Sequence, residues 1–122
     1  MAPQHAGLTP ERWAAFSRDQ QLLMIGNELH RASKLLDAGG QRLVACYERA
    51  LALADLTIAT QQAPGFRREL LRWRDLLAAL YLEPHPTSAA PQRSVLKALL
   101  MLDPIAYRQV PYVLESRGEA RR

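Results

Sequence analysis

The fold of this chain is decided by residues 20–38, which read QQLLMIGNELHRASKLLDA. Apolar side chains recur in this stretch at alternating spacings of three and four residues, which is the period of one face of an α-helix. Such a face must be buried, and two similar segments follow it along the chain. The sequence therefore predicts an all-α protein, a small antiparallel helical bundle. The apolar stripe consists of Leu22, Ile25, Leu29, Ala32 and Leu36.

Two helix-start signals precede the apolar stripe. Thr9 and Pro10 are typical of a helix start, because a hydroxyl side chain caps the first turn and proline suits the first helical position. We expect a short leader helix there. Ser17 is followed three residues later by Gln20, which is the spacing of a capping box. The long helix is therefore expected from about residue 18 to residue 38.

Turn residues separate this helix from two further long helices. Gly39 and Gly40 supply the left-handed conformation that commonly ends a helix. The second long helix is expected over about 41–62 and the third over 66–82, because a Pro-Gly pair breaks the chain between them. On the second helix, the side predicted to face the core holds Leu43, Tyr47, Ala50, Ala54 and Ile58, and the solvated side holds Glu48, Ala52, Asp55, Ala59 and Gln62.

Length and composition favour a single domain. A chain of 122 residues with 48% apolar composition can close one hydrophobic core but is too short for two ordinary domains. After the third helix, prolines interrupt the helical pattern, and short helices are expected at 95–102 and 105–110, where Pro111 ends or kinks the second. We expect an N-terminus without fixed structure at 1–8, the bundle core at 9–83, a proline-rich connector at 84–92, a C-terminal helical segment packing on the bundle or on a partner at 93–115, and a basic tail at 116–122.

Charge and apolar runs restrict the class of protein. The formal net charge of +4 permits contact with nucleic acid or an acidic partner without requiring either. The sequence contains no apolar run long enough to span a membrane, and residues 1–8 lack the basic and apolar regions of a signal peptide. Because Cys46 is the only cysteine, an internal disulfide is excluded. We therefore predict a cytoplasmic protein without membrane contact.

No motif for catalysis or ligand binding stands out. His5, His30 and His85 are scattered, and the spacings of zinc sites are absent. Nucleophile elbows, phosphate loops and dinucleotide fingerprints are absent as well. Cys46 falls within a predicted helix, as expected of a buried structural thiol. The prediction is a protein that is not an enzyme, with no catalytic residues, no metal, no cofactor and no small-molecule substrate.

Apolar side chains outside the main stripes predict a further contact surface. Leu71 and Leu76 on the third helix, and Met24 and Leu35 on the first, lie off the stripe of their helix. More of each helix circumference is therefore apolar than one partner helix can cover. Either the C-terminal segment or a second protein must cover the rest. These four residues are the predicted interface.

The third helix also carries the densest group of basic residues. Positive charge next to an aromatic side chain, here Trp73, is a combination found in nucleic-acid-binding surfaces. In a helix, however, Trp73 faces the core and the arginines lie on more than one edge. We interpret them first as a solvated, partly paired helix face. The alternative is a nucleic-acid-binding surface formed by Arg67, Arg68, Arg72 and Arg74 together with the tail residues Arg117, Arg121 and Arg122.

Excess apolar surface without catalytic chemistry predicts an accessory or scaffold protein. It would act through protein–protein contacts, as a homo-oligomer or as a subunit of a larger complex. One alternative is a nucleic-acid-binding accessory subunit. Another is a small helical chaperone or peptide-binding adaptor, in which the segment after the connector covers a groove until a client displaces it. The order of leader, three long helices and C-terminal segment resembles that of small helical export chaperones, a likeness of architecture alone.

Overall fold

The computed structural model describes residues 8–36, 40–82 and 90–115. Within these ranges the chain forms six α-helices and a terminal π-helical turn, and it contains no strand. The predicted all-α bundle is therefore confirmed. The elements are α1 (Pro10–Ala14), α2 (Arg18–Ser33), α3 (Gly40–Thr60), α4 (Pro64–Leu82), α5 (Ala90–Leu100), α6 (Pro104–Tyr107) and the π turn (Pro111–Glu115).

Both predicted starts at the beginning of the bundle are confirmed. Thr9 Oγ1 accepts a hydrogen bond from the backbone N–H of Arg12 at 3.2 Å, and Pro10 lies in the first turn of α1. Ser17 Oγ accepts from the N–H of Gln20 at 3.4 Å, and the Gln20 side chain accepts from the N–H of Ser17 at 3.0 Å. This capping box satisfies N–H groups that the first turn of a helix leaves without a partner.

The helix α2 is shorter than predicted. Its last residue is Ser33, whose hydroxyl donates to the carbonyl of His30 at 2.6 Å. The next two backbone N–H groups bond to carbonyls three residues back, which tightens the last turn and ends the helix. Gly40 has a φ of 71°, which is the left-handed conformation predicted at the turn. Residues 37–39, where the predicted helix and turn met, lie outside the described ranges.

Four helices, α2 to α5, form a ring in which each packs against the next. Arg49 of α3 pairs with Glu28 of α2 at 3.0 Å. Near the other end, Gln61 follows α3 and donates to Gln21 of α2 at 2.8 Å. These pairings run in opposite directions along the two helices, so α2 and α3 are antiparallel. The arrangement is that of an up-down four-helix bundle.

The C-terminal segment supplies the fourth helix of this ring. The helix α5 begins at Ala90, which is earlier than predicted. Pro91 does not prevent this start, because it lies in the first turn of the helix, where a missing N–H is tolerated. Trp73 of α4 is 2% exposed and its Nε1 donates to the carbonyl of Val95 at 2.8 Å. The side chains of α5 that are buried in the core are Val95, Leu96, Leu99 and Leu100. Residues 83–89 of the predicted connector lie outside the described part of the chain.

Gly26 allows α5 to approach α2 closely. Glycine in the middle of a helix is less favourable than alanine by about 1 kcal/mol, so its presence there calls for a packing reason. A Cβ atom at position 26 would lie 3.0 Å from Leu96 Cδ1 of α5. The absence of a side chain at Gly26 therefore makes room for the fourth helix.

For one residue of α3, the prediction that it faces the core is wrong. Ile58 is only partly buried, whereas the neighbouring Thr57 is fully buried. The Thr57 hydroxyl accepts a hydrogen bond from Trp13 Nε1 at 2.9 Å and donates to the carbonyl of Leu53 at 2.9 Å. The leader α1 thus covers this side of α3 and satisfies its buried hydroxyl. The other four predicted residues are buried, namely Leu43, Tyr47, Ala50 and Ala54.

The helix α6 closes the end of the bundle where α2 begins. Asp103 Oδ2 accepts from the N–H groups of Ile105 at 3.0 Å and Ala106 at 3.1 Å, so the predicted helix start there is confirmed. Arg18 of α2 pairs with Asp103 at 3.4 Å. The guanidinium group of Arg18 also lies 4.6 Å from the ring centroid of Phe66 in α4, as in a cation–π contact. Arg18 therefore connects three elements at this end.

Candidate functional site

Side chains along one edge of α4 form hydrogen bonds to carboxylates of α3. Arg74 donates to both carboxylate oxygens of Asp55, at 2.6 Å and 3.2 Å, and these hydrogen bonds raise the pKa of the Arg74 guanidinium. The hydroxyl of Tyr81, seven residues further along α4, donates to Glu48 at 3.1 Å. The sequence placed Asp55 and Glu48 on a solvated side of α3. Asp55 is exposed and Glu48 partly buried, and both lie at the water-facing edge where α3 and α4 meet.

The four arginines of α4 that the nucleic-acid alternative groups together have different surroundings. Arg67 Nε donates to the backbone carbonyl of Ile58 at 3.0 Å, so Arg67 and Arg74 are both held against α3. Arg72 pairs with Glu69 at 3.0 Å on the exposed side of α4, and Arg68 is exposed. The tail residues Arg117, Arg121 and Arg122 lie outside the described residues.

The water-facing side of α4 combines leucines with arginines. Leu71 is 48% exposed, Leu76 is 50% exposed and Leu82 is 75% exposed. Arg68 and Arg72 fall between Leu71 and Leu76 around the helix, at about 100° per residue. We call this surface, formed by these five residues, the α4 outer face. It belongs to the side of α4 that neither α3 nor α5 covers, and the exposed Asp75 and Ala79 lie within the same arc.

The structure does not join the four predicted interface residues into one surface. Leu71 and Leu76 lie about 140° apart around α4, at opposite edges of its outer face. Met24 lies on α2 and Leu35 lies just after its last residue, and both are partly buried against the core. Because α2 and α4 are separated in the ring by α3 and α5, the leucines of α4 form a surface distinct from that of Met24 and Leu35.

A basic cleft lies between the second half of α2 and the first half of α3. Its volume is about 360 Å³, and its apolar lining consists of Leu35, Ala45 and Cys46. We call it the α2–α3 cleft. Sequence reasoning missed it, although two of its cations, Arg42 and Arg49, are seven residues apart and must share a side of α3. The cationic residues of the lining are Arg31, Lys34, Arg42 and Arg49.

A buried carboxylate holds two of these cations in place. Glu28 is 3% exposed, and its oxygens accept from Arg31 at 2.7 Å and from Arg49 at 3.0 Å. A carboxylate with so little solvent requires such partners, because an unpaired buried charge is strongly unfavourable. Glu28 therefore orients both guanidinium groups and neutralises part of their charge.

Cys46 contributes a neutral thiol to the cleft. Burial raises the pKa of the thiol, and this effect exceeds the opposing influence of the positive charge on Arg49. Arg49 Nη2 donates to Cys46 Sγ at 3.4 Å. A nucleophilic cysteine needs a lowered pKa, so Cys46 acts here as an apolar surface.

Comparison with known proteins adds no functional assignment. The fold and its surfaces define a small up-down four-helix bundle with an exposed leucine and arginine face and a basic cleft. No protein-family model, no curated protein and no solved structure matches the chain. Among the described residues, no group of three His, Cys, Asp or Glu side chains could hold a metal ion. None of the described helices is long and apolar enough to cross a membrane.

Proposed function

We propose that this protein is a non-catalytic accessory or scaffold protein that acts through protein–protein contacts of the α4 outer face. The observation that carries the proposal is the exposure of Leu71, Leu76 and Leu82 on a helix whose other sides are already packed. Single exposed leucines are ordinary on protein surfaces, but several on one helix face favour an interface. A homo-oligomer or a larger complex would bury them.

The composition of the α4 outer face also favours a protein partner. Interfaces between proteins are enriched in arginine, and lysine is depleted in them. Arg68 lies between the leucines, where its guanidinium group could pair with a carboxylate of a partner, and Arg72 is held beside it by Glu69. The apolar residues would then supply most of the buried area and the arginines the orientation of the complex.

The alternative functions stay predictions with less support. A nucleic-acid surface on α4 would have the exposed Arg68, whereas Arg72 pairs with Glu69 and both Arg67 and Arg74 contact α3. Trp73 is buried and therefore not available for stacking on bases. A chaperone whose C-terminal segment is displaced by a client would have to expose the four buried apolar residues of α5.

A double substitution of the exposed leucines tests the proposal. Leu71→Glu with Leu76→Glu is expected to abolish association while leaving helicity intact, because charges placed in an apolar interface must be desolvated. The two side chains are about half exposed, so the fold should tolerate glutamate. Sedimentation equilibrium of the full chain gives the mass, and far-UV circular dichroism gives the helicity.

Met101→Glu with Ile105→Glu is the matched control, since these apolar side chains are 59% and 51% exposed on other elements. The control variant should keep the mass of the unsubstituted protein. A mass that does not change in the α4 variant, with helicity retained, would remove self-association through this face.

A further inference from the structure

The α2–α3 cleft lies along the seam between α2 and α3, and the leader α1 packs on the same seam. The leader α1 packs at one end of this seam, where Trp13 Nε1 donates to Thr57 at 2.9 Å. The carbonyl of Trp13 accepts from Gln21 of α2 at 2.8 Å. Glu28 lies seven residues after Gln21, on the same side of α2. It pairs with Arg31 and Arg49 of the cleft, so the cleft lies further along the same two helices.

The cleft carries excess positive charge. Its cations Arg31 and Arg49 both pair with Glu28. The described residues contain no carboxylate within ion-pair distance of Lys34 or Arg42. A concave surface lined by like charges concentrates the field, so this end of the bundle attracts negative groups.

The apolar part of the cleft favours a peptide over nucleic acid. Leu35 and Ala45 offer an apolar contact next to the cations, and the buried Cys46 lies beneath them. Nucleic-acid grooves commonly add aromatic side chains on which bases stack, and the lining residues include none. A volume of about 360 Å³ is at the small end of the usual range for binding pockets and suits one or two side chains.

We propose that the α2–α3 cleft binds an acidic segment of a partner protein, which places an apolar side chain on Leu35 and Ala45 and carboxylates on Lys34 and Arg42. The guanidinium group of Arg42 presents paired N–H donors that match a carboxylate. The packing of α1 at the other end of the same seam provides a precedent within the molecule. This site is separate from the α4 outer face and does not depend on it.

Selection from a random peptide library displayed on phage tests the proposal with the full-length protein as bait. Enriched peptides are expected to be acidic and to contain an apolar residue. Lys34→Glu with Arg42→Glu should weaken the binding of a labelled enriched peptide by about tenfold or more, because the change replaces two attractive charges with two repulsive ones. Fluorescence anisotropy measures this affinity, and both substituted side chains are exposed, so the fold should persist.

Lys97→Glu with Arg108→Glu is the control, since it makes the same change of charge on an exposed lysine of α5 and an exposed arginine at the end of α6. It should leave peptide affinity within about twofold, as expected for charges far from the site. Amide chemical shifts that change on titration should cluster around Lys34 and Arg42. The proposal is overturned if no peptide is enriched, if enriched peptides lack acidic residues, if both variants lose affinity equally, or if a single-stranded oligonucleotide displaces the peptide. The last result would assign the cleft to nucleic acid.

The variant with Leu71→Glu and Leu76→Glu separates this site from the α4 outer face. It should bind the enriched peptide as the unsubstituted protein does. Loss of association in that variant with unchanged peptide binding would support both sites independently. Failure of peptide selection alone would remove the cleft and leave the α4 outer face untouched.

Discussion

Replacing Trp73 with alanine is expected to lower the free energy of unfolding by about 3–5 kcal/mol. Trp73 lies on the side of α4 that faces α5, and only 2% of it is exposed. Its Nε1 donates to the carbonyl of Val95 at 2.8 Å. The substitution removes a large apolar contact between the two helices and the hydrogen bond that joins them, while the Val95 carbonyl keeps its helical bond within α5. Since domains of this size are marginally stable, the loss is a large part of the total. Urea denaturation followed by circular dichroism measures it.

Two further variants show where the effect of Trp73 arises. Trp73→Phe keeps most of the apolar contact and removes the hydrogen bond, so the loss should be about 0.5–1.5 kcal/mol. Tyr112→Ala, at a side chain that is 71% exposed, should change stability by less than about 0.5 kcal/mol. A loss below about 1 kcal/mol for Trp73→Ala would contradict the assignment of α5 to the core.

Replacing Trp13 with alanine should lower the free energy of unfolding by a similar amount, about 3–5 kcal/mol. Trp13 is fully buried although α1 has only five residues, and the indole fixes this short helix to α3 through Thr57. Without it, α1 should detach, because an isolated helix of this length is not stable in water. Hydrogen exchange at the amides of α1 and urea denaturation measure the two effects.

Phe16→Ala is the control for Trp13. The Phe16 ring packs edge-on against Trp13, with 5.7 Å between ring centroids, but it is 36% exposed. Its removal should therefore reduce stability by less than half as much as Trp13→Ala. Retained exchange protection in α1 after Trp13→Ala would show that this indole does not hold the leader in place.

The sequence predicted the bundle well because local signals agreed with the packing. The capping box at Ser17 and the three-four spacing of the apolar residues are short-range features, and the structure contains both. The position of α5 was open, because periodicity cannot tell whether an apolar helix packs within its own chain or on a partner. Gly26 is the feature of the sequence that indicates packing of α5 within the chain, since a glycine leaves room on α2 for Leu96.

The surfaces were harder to predict than the core. The burial of Thr57 depends on Trp13, which is distant in sequence, so α3 alone gives no reason to bury a hydroxyl. The α2–α3 cleft likewise depends on two helices. Arg31 and Arg49 come together only because Glu28 accepts from both. Helical spacing locates each residue on its own helix, whereas contact between helices requires the tertiary structure.

The central claim, that the protein acts through protein contacts of the α4 outer face, is tested most directly by capture of the tagged full-length chain from native extract with and without nuclease. We predict that the same proteins, or further copies of this chain, are recovered after nuclease treatment. They should be lost with Leu71→Glu and Leu76→Glu and retained with Met101→Glu and Ile105→Glu. Recovery of nucleic acid, with every bound protein lost on nuclease treatment, would contradict the claim and favour the nucleic-acid alternative.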